Sequence, residues 1–318
     1  MSRGCFLGID TSNYTTSVAV LSEDGSELAN IKYPLPVKEG ERGLRQSDAL
    51  FSHTVFLPKA LRDAREVIAD RRIIAVGVST RPRNVEGSYM PCFLAGVSAA
   101  TSASLGAGAP LYEFSHQCGH IMAALYSSKS EFLLSAPFYA AHVSGGTTEL
   151  LSVEAEGTGF RCRLIGGTKD LNAGQLIDRV GVAMGLSFPC GRELEKLALQ
   201  ITEKVPKRAP RIEDTFVNFS GGENLALKIL KESGSKELTA AFLLSHIGDG
   251  LSKITRACLE KYGGAPIVYA GGVMSNGILK DRLSREFNAY FADPPHSADN
   301  AVGIAVLTKR RYHGLTND

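Results

Sequence analysis

Residues 5–21 read CFLGIDTSNYTTSVAVL, two apolar stretches separated by a polar turn. Cys5–Asp10 predicts a buried strand, Thr11–Tyr14 a turn, and Thr15–Leu21 a second strand that pairs with the first. Glu27–Tyr33 predicts a third strand. The chain is therefore expected to open with a three-stranded meander.

The second half of the chain repeats this opening. Pro137–Val143, Thr147–Val153 and Phe160–Ile165 predict strands, with a Ser-Gly-Gly turn after the first. Helical periodicity and further short apolar strands follow each set of hairpins. The duplication predicts an α/β protein with two mixed sheets covered by helices and a ligand site in the cleft between two lobes. The alternative, one irregular doubly wound domain, leaves the repeated openings unexplained.

The sequence also predicts where the first long helix and the last helix begin. Ser47 is expected to cap a long amphipathic helix in which Pro58 causes a kink. The last helix is predicted over Ala298–Arg311, which puts Asp299 in its first turn. In the second half, the other helices are predicted over Ala173–Met184, Arg192–Gln200, Leu238–Tyr262 and Asn276–Phe287.

The composition limits the possible functions. At 318 residues the chain exceeds the roughly 250–300 at which single cores stop growing, so two cores are expected. A formal net charge of +2 gives no overall field for holding nucleic acid or an anionic membrane, so any RNA contact must be local. The best basic candidate is a Pro-punctuated stretch, for which a solvated loop is the simpler explanation: Lys204, Lys207, Arg208 and Arg211.

The cysteines and the N-terminal sequence favour a cytoplasmic protein. Six cysteines lie far apart with no C-x-x-C pair, which predicts reduced thiols. The first residues lead directly into a short apolar stretch, without the apolar length of a signal peptide or a membrane span.

One turn in each half is a candidate phosphate cradle. Residues 10–16 and 144–148 are rich in Gly, Ser and Thr, and both glycine N–H groups and hydroxyls can donate to an anion. A tight turn without a ligand is the simpler alternative. Asp10 could orient a metal-bound water or a phosphate, or only cap its turn. We assign Asp10 and Ser12 as candidate catalytic residues.

A second glycine loop follows the predicted strand Ile267–Ala270. Gly271 and Gly272 admit a flat ring against the backbone, and the Asn276 side chain could hydrogen-bond a base or ribose. The alternative is a strand-to-helix loop in which Asn276 is only the N-cap.

His116 and His120 form a candidate metal-binding pair. Residues four apart in a helix, here predicted over Ser115–Tyr126, share one face. The spacing is that of a zincin helix, but Gln117 stands where the general-base Glu would be, which disfavours a metallopeptidase. Asp299 is the candidate third ligand, and two imidazoles with a carboxylate suit iron or zinc. The alternatives are an incidental pair and a carboxylate that only favours a helix start.

Short motifs occur in a specific order along almost the whole chain. They are Gly8-Ile9-Asp10-Thr11-Ser12, His116-x3-His120, Val143-Ser144-Gly145-Gly146, Asp178 spaced from Gly191, Phe219-Ser220-Gly221, Ala270-Gly271-Gly272-Val273 with Asn276, and Asp299-Asn300-Ala301. With them the chain resembles the bacterial TsaD (Gcp) and archaeal and eukaryotic KEOPS-subunit family, formerly called O-sialoglycoprotein endopeptidase. This family transfers a threonylcarbamoyl group to tRNA adenosine.

The resemblance implies a fold and a set of site residues. The fold is the two-lobed actin-like ATPase fold, with residues 1–130 as the lobe carrying the His pair. Residues 131–318 form the lobe carrying the nucleotide loops, and the last helix packs back toward the first lobe. The implied metal ligands are His116, His120 and Asp299; the implied phosphate or carbamoyl contacts are His142, Val143, Ser144, Gly145 and Gly146; the implied nucleoside contacts are Asp178, Gly191 and Asn276.

The family reaction implies the ligands and partners. ATP or threonylcarbamoyl-AMP is the expected ligand, with one divalent iron or zinc ion, and the tRNA adenine nitrogen attacks the donor carbonyl with AMP as leaving group. tRNA and another actin-like subunit are the macromolecular partners, and no membrane is involved. Where family members carry two acidic residues, a His and a Lys, this chain has Tyr14, Thr15, Thr147 and Glu223. A Gly- and Pro-rich family stretch is replaced by residues 81–87.

Two functions of different class fit these motifs. The retained metal and nucleotide positions favour a metal-dependent threonylcarbamoyl or carbamoyl transferase with an adenylate donor. The replaced positions favour a non-catalytic nucleotide-binding regulatory or partner subunit of the same fold, because they change the acid-base groups of the reacting end.

Overall fold

The computed structural model describes residues 4–12, 14–36, 44–157 and 159–316. Asn13 of the first predicted turn lies outside the described residues. The chain divides into two compact units: unit 1 comprises Met1–Ser135, Glu154–Cys162 and Asp299–Asp318, and unit 2 comprises Ala136–Val153 and Arg163–Ala298. The predicted boundary at residue 130 stays a prediction.

Helices and strands alternate after two hairpin openings, as the sequence predicts. The first elements are β1 (Gly4–Ser12), β2 (Thr15–Ser22), β3 (Glu27–Pro34), α1 (Gln46–Ile68), β4 (Arg72–Arg81), α2 (Phe93–Ala107), β5 (Leu111–Ser115) and α3 (His116–Ser127). The others are β6 (Phe138–Val143), β7 (Thr148–Glu156), β8 (Gly159–Thr168), α4 (Ala173–Ala183), α5 (Gly191–Leu199), β9 (Arg211–Glu213), β10 (Phe216–Asn218), α6 (Ser220–Ser233), α7 (Lys236–Tyr262), β11 (Ile267–Ala270), α8 (Gly277–Glu286), β12 (Ala289–Phe291), α9 (Pro294–Ser297) and α10 (Val302–Thr316). Short 3₁₀ turns occur at Glu131–Ser135 and Gly272–Ser275.

Each unit is built around its own mixed sheet. The sheet of unit 1 has the order β3-β2-β1-β4-β5, with an antiparallel meander followed by parallel pairing of β1 with β4 and of β4 with β5. The second sheet has the order β12-β11-β6-β7-β8-β10-β9. Buried apolar side chains of the strands and their covering helices form a separate core for each sheet. Among the described helices, none combines the length and apolar character needed to cross a bilayer.

In unit 1, α3 and α10 touch backbone to backbone. A Cβ atom added to Gly303 of α10 would lie 1.8 Å from the Gly119 carbonyl oxygen of α3 and 2.7 Å from the Ala123 nitrogen. The opposite side of α10 lies on the sheet, where a Cβ on Gly8 would be 2.6 Å from the Ala301 carbonyl oxygen. Glycines therefore hold α10 between α3 and β1 at distances that no side chain allows.

Several details differ from the sequence predictions, among them the short elements β9, β10 and α9, which were not predicted. The residue preceding α1 is Arg45, and Ser47 lies inside the helix with its hydroxyl on Asp48, so its predicted capping role was wrong. The last helix begins at Val302, so Asp299 precedes it and is not in its first turn. Helix α6 was missed because its first turn, Ser-Gly-Gly-Glu, contains two poor helix formers.

We predict that Gly303→Ala lowers the free energy of unfolding by at least about 2 kcal/mol, because the added methyl group meets backbone atoms that cannot rotate away. Urea unfolding followed by circular dichroism measures this. The control is Gly106→Ala in α2, where a Cβ meets nothing within 4 Å; it should raise stability by about 0.5–1 kcal/mol. A Gly303→Ala protein as stable as the wild type would contradict the proposed contact.

Candidate metal centre and ligand-binding loops

Helix α3 presents its two histidines from a well-defined N-terminus. The Ser115 hydroxyl accepts a hydrogen bond from the Cys118 backbone N–H at 3.3 Å, and the Pro82 carbonyl accepts one from the Gln117 N–H at 3.0 Å. His116 is the first helical residue, and His120 follows one turn later on the same face. Their ring centroids are 4.3 Å apart, so the predicted shared face is confirmed.

Asp299 meets both imidazoles. Its Oδ1 atom lies 3.1 Å from His120 Nε2 and 3.7 Å from His116 Nε2. The possible ligand atoms of the three residues all lie within 4.8 Å of one another. All three belong to unit 1, although Asp299 is 179 residues from His120 in sequence.

The donor set fits a divalent metal ion. Two donors about 2.0–2.1 Å from a tetrahedral ion are about 3.3 Å apart, and the distances of 3.1 and 3.7 Å bracket that value. Two imidazole nitrogens and one carboxylate are ligands that zinc and iron accept, and three protein ligands leave a position open for a further ligand.

Asp10 holds His116 from the other side of its ring. The Asp10 carboxylate is fully buried, and its Oδ1 lies 3.1 Å from His116 Nδ1. It also accepts hydrogen bonds from the Ser12 hydroxyl at 2.7 Å and from the Ser79 hydroxyl. Asp10 thus fixes the orientation of the ring and leaves Nε2 toward Asp299, the arrangement of a carboxylate behind a metal-binding histidine.

The Asp10–His116 contact changes the pKa values of both groups. Burial opposes ionisation of Asp10, but His116 and the two serine hydroxyls outweigh it and lower the Asp10 pKa below its ordinary value. For His116, burial disfavours the cation, yet the charges of Asp10 and Asp299 raise the His116 pKa to about 9. A metal ion must therefore displace a tightly held proton at His116.

Sequence reasoning missed several polar residues around this centre. The contact of Ser79 with Asp10 was not predicted. Ser79 follows Gly77 by two residues in β4, as Asp10 follows Gly8 in β1, so Ser79 and Asp10 lie on the same face of neighbouring strands. His53 of α1 is fully buried, with its Nδ1 2.8 Å from the Thr16 hydroxyl. Burial lowers the pKa of His53 below its ordinary value, because it outweighs the opposing charge of Asp10. No motif marks these residues, because the β1–β4 register places Ser79 beside Asp10 and the packing of α1 on the sheet places His53 beside Thr16.

In unit 2 the two predicted glycine loops are adjacent. Gly271 has a φ of +98°, and a Cβ there would lie 2.3 Å from the Val143 carbonyl oxygen. The Ser144 N–H donates to the Thr147 carbonyl at 2.7 Å and closes the predicted turn. Gly145, Gly146 and Gly272 are exposed, and an added Cβ there would have no atom within 4 Å, although a Cβ on Gly174 would lie 2.7 Å from the Gly145 nitrogen.

The predicted nucleoside contacts form a second group in unit 2. Asp178 Oδ1 accepts a hydrogen bond from the Cys190 N–H at 2.9 Å, immediately before Gly191. Burial raises the Asp178 pKa, and this hydrogen bond acts against it. Asn276 Oδ1 accepts from the Leu279 N–H at 3.1 Å, so Asn276 is the N-cap of α8. The Gly277 N–H donates to Glu195 Oε1 at 2.7 Å, which ties α5 to this loop.

Two mixed sheets flanked by helices, with a His-His-Asp cluster in one unit, define a protein of the actin-like ATPase fold that carries a candidate metal centre. The T. kodakarensis HypF crystal structure matches 98% of this chain and 48% of its own, with a TM-score of 0.62 and 11% identity. Component A of the Acidaminococcus fermentans (R)-2-hydroxyglutaryl-CoA dehydratase matches 98% of this chain and 99% of its own, with a TM-score of 0.56 and 15% identity. The predicted fold class is confirmed.

Sequence comparison identifies the family. The family model described as TsaD, tRNA N6-adenosine threonylcarbamoyltransferase, matches residues 54–306. A tRNA N6-adenosine threonylcarbamoyltransferase of Streptococcus pneumoniae (strain Taiwan19F-14) is 32% identical over 324 residues, covering 96% of this chain and 92% of its own. That of Streptococcus gordonii is 32% identical over 332 residues, covering 97% and 94%. The chain belongs to the TsaD family, and the resemblance drawn from its motifs is confirmed.

We predict that Asp10→Asn lowers the His116 pKa below 9 in chelator-treated protein, because burial is then opposed by the Asp299 carboxylate alone. An NMR titration of the imidazole protons measures it. The control is Asp63→Asn, which alters a carboxylate that accepts a hydrogen bond from the Tyr33 hydroxyl. It should leave the His116 pKa unchanged. An unchanged His116 pKa in Asp10→Asn would show that the pair is not formed in solution.

Proposed function

We propose that this protein is a metal-dependent threonylcarbamoyl or carbamoyl transferase that uses an adenylate donor and modifies tRNA adenosine. The observation that carries the proposal is the convergence of His116, His120 and Asp299 in a chain of the TsaD family.

In this proposal His116, His120 and Asp299 hold one zinc or iron ion. Bound there, the ion supplies Lewis-acid polarisation and a fixed position for the donor. Asp10 keeps the proton of His116 at Nδ1 and so keeps Nε2 available as a ligand atom. The hydroxyls of Ser12 and Ser79 hold Asp10 in turn. Asp10 and Ser12 are thus assigned to orient the centre.

The unit 2 loops are assigned to the adenylate. The open backbone of Gly145 and Gly146, with the Ser144 hydroxyl, supplies donors for a phosphate or carbamoyl group. His142 and Val143 lead into this turn at the end of β6. The nucleoside is assigned to the residues that the sequence predicts to contact it: Asp178, Gly191, Gly271, Gly272 and Asn276.

The proposed transfer needs no oxidant or reductant. The exocyclic nitrogen of a tRNA adenine forms a bond to the donor carbonyl carbon, the bond from that carbon to the AMP phosphate oxygen breaks, and the amine loses a proton. The chain's residues contribute position and charge, which are the large terms in such transfers.

We predict that the wild type binds zinc or ferrous iron with one ion per chain and that Asp299→Asn loses at least about tenfold in metal affinity, because a neutral amide is a poorer ligand. Metal content after dialysis and competition with a chromogenic chelator measure it. Glu113→Gln changes an exposed carboxylate on the strand that precedes α3 and should bind like the wild type. Equal affinity of Asp299→Asn and wild type would remove Asp299 from the centre.

We predict metal-dependent transfer when the protein receives labelled threonylcarbamoyl-adenylate and unmodified tRNA, and loss of at least about 100-fold in rate for His116→Ala, because that variant lacks a ligand. Retention of label on tRNA measures it. Gln117→Ala, in the same helix, serves as the matched control. Metal-dependent nucleotide binding without turnover would instead support the non-catalytic subunit, which the replaced residues Tyr14, Thr15, Thr147 and Glu223 favour.

A further inference from the structure

A row of polar side chains crosses the unit 1 sheet beside the candidate metal centre. Ser17 stands opposite Asp10 in the β1–β2 pairing, and Lys32 stands opposite Ser17 in the β2–β3 pairing. Directly opposed residues of an antiparallel pair carry their side chains on the same face, with Cβ atoms about 4.5–5.5 Å apart. Lys32, Ser17 and Asp10 therefore share one face, and Asp10 contacts His116 there.

Asp299 lies over the same face. Gly8 and Asp10 are two residues apart in β1 and point the same way. The Gly8 backbone lies against Ala301 and Ala305, the start of α10, so the segment that carries Asp299 covers this side of the sheet. Burial lowers the pKa of Lys32 below its ordinary value, because it outweighs the opposing charges of Asp299 and Glu27. Lys32 is thus within electrostatic reach of a proposed metal ligand.

Ser17 indicates that the row is incomplete without a bound group. Its side chain is fully buried, and its hydroxyl oxygen has no hydrogen-bond partner among the residues that the structure describes. A buried hydroxyl without a partner costs free energy, which a water or a ligand atom removes. This hydroxyl lies in the row between the Asp10 carboxylate and Lys32.

We propose that Lys32 is a ligand-binding residue whose ammonium group binds an anionic oxygen group, phosphate or carboxylate, of the donor held at the metal centre. The inference rests on the proposed function and deepens it. Asp10 and Asp299 together offset the two positive charges of a divalent ion, so the centre alone gives little attraction for an anionic donor. Lys32 supplies the missing cation, and lysine binds such oxygens as a point charge.

The test is isothermal titration of the zinc-loaded protein with AMP, adenosine and N-carbamoylthreonine. Lys32→Gln and Lys32→Met remove the charge, and either one that folds suffices for the test. We expect about tenfold weaker binding of AMP with adenosine unchanged if the group is the phosphate, and about tenfold weaker binding of N-carbamoylthreonine if it is the carboxylate. Lys32→Arg keeps the charge and should bind within about twofold of the wild type, which a merely structural role would not require.

Lys59→Gln is the matched control. Lys59 is exposed on α1, and its ammonium lies 4.6 Å from the centre of the Tyr33 ring. Tyr33 follows Lys32 in sequence, so its side chain lies on the opposite face of the sheet. The Lys59→Gln substitution removes the same charge as Lys32→Gln and should leave the affinities for all three ligands unchanged. Wild-type protein that binds the ligands with zinc, together with neutral Lys32 variants of equal affinity, would overturn this inference alone. Wild-type protein that binds neither zinc nor any of the three ligands would overturn the proposed function as well.

Discussion

The candidate centre depends on one close contact, the backbone approach of α3 and α10 at Gly119 and Gly303. His116 and His120 flank Gly119, and Asp299 lies four residues before Gly303. Because a Cβ on Gly303 would meet backbone and not a flexible side chain, the helices can be this close only with glycine there. The distances of 3.1 and 3.7 Å between carboxylate and imidazoles follow from this approach.

A second constraint aligns the sheet with those helices. Gly8 and Gly77 admit α10 onto β1 and β4, since a Cβ on Gly77 would lie 1.8 Å from the Thr308 hydroxyl oxygen. Two residues further along each strand, Asp10 and Ser79 emerge on the same face just beyond the helix. The small residues thus set the depth of the helix, and the polar residues after them support His116.

These relations explain what the sequence could and could not predict. Apolar runs predicted the longer strands, and the i, i+4 spacing predicted the shared face of the His pair, because both signals are local. The three-residue strands β9 and β10 were not predicted, since runs this short carry no clear period. The link from Asp10 to His116 spans 106 residues and depends on the parallel pairing of β1 with β4, which no local pattern encodes. The position of Lys32 likewise follows only from register. Helix α6 was missed because its helical signal starts after two glycines and is supported by Asp170, which accepts from the Phe219 and Ser220 N–H groups.

One departure from the family pattern, Glu223, changes the local charge less than its identity suggests. Glu223, which stands where a lysine is expected, pairs with Arg179 at 3.1 Å. The pair is largely exposed and adds little stability, yet the two charges cancel, so Glu223 alone would not repel a phosphate near the start of α6. The departures from the family motifs also leave the three candidate ligands unchanged. In physical terms the chain has kept the three candidate metal ligands and has altered side chains elsewhere, and such surroundings are what select the molecule that binds at a site.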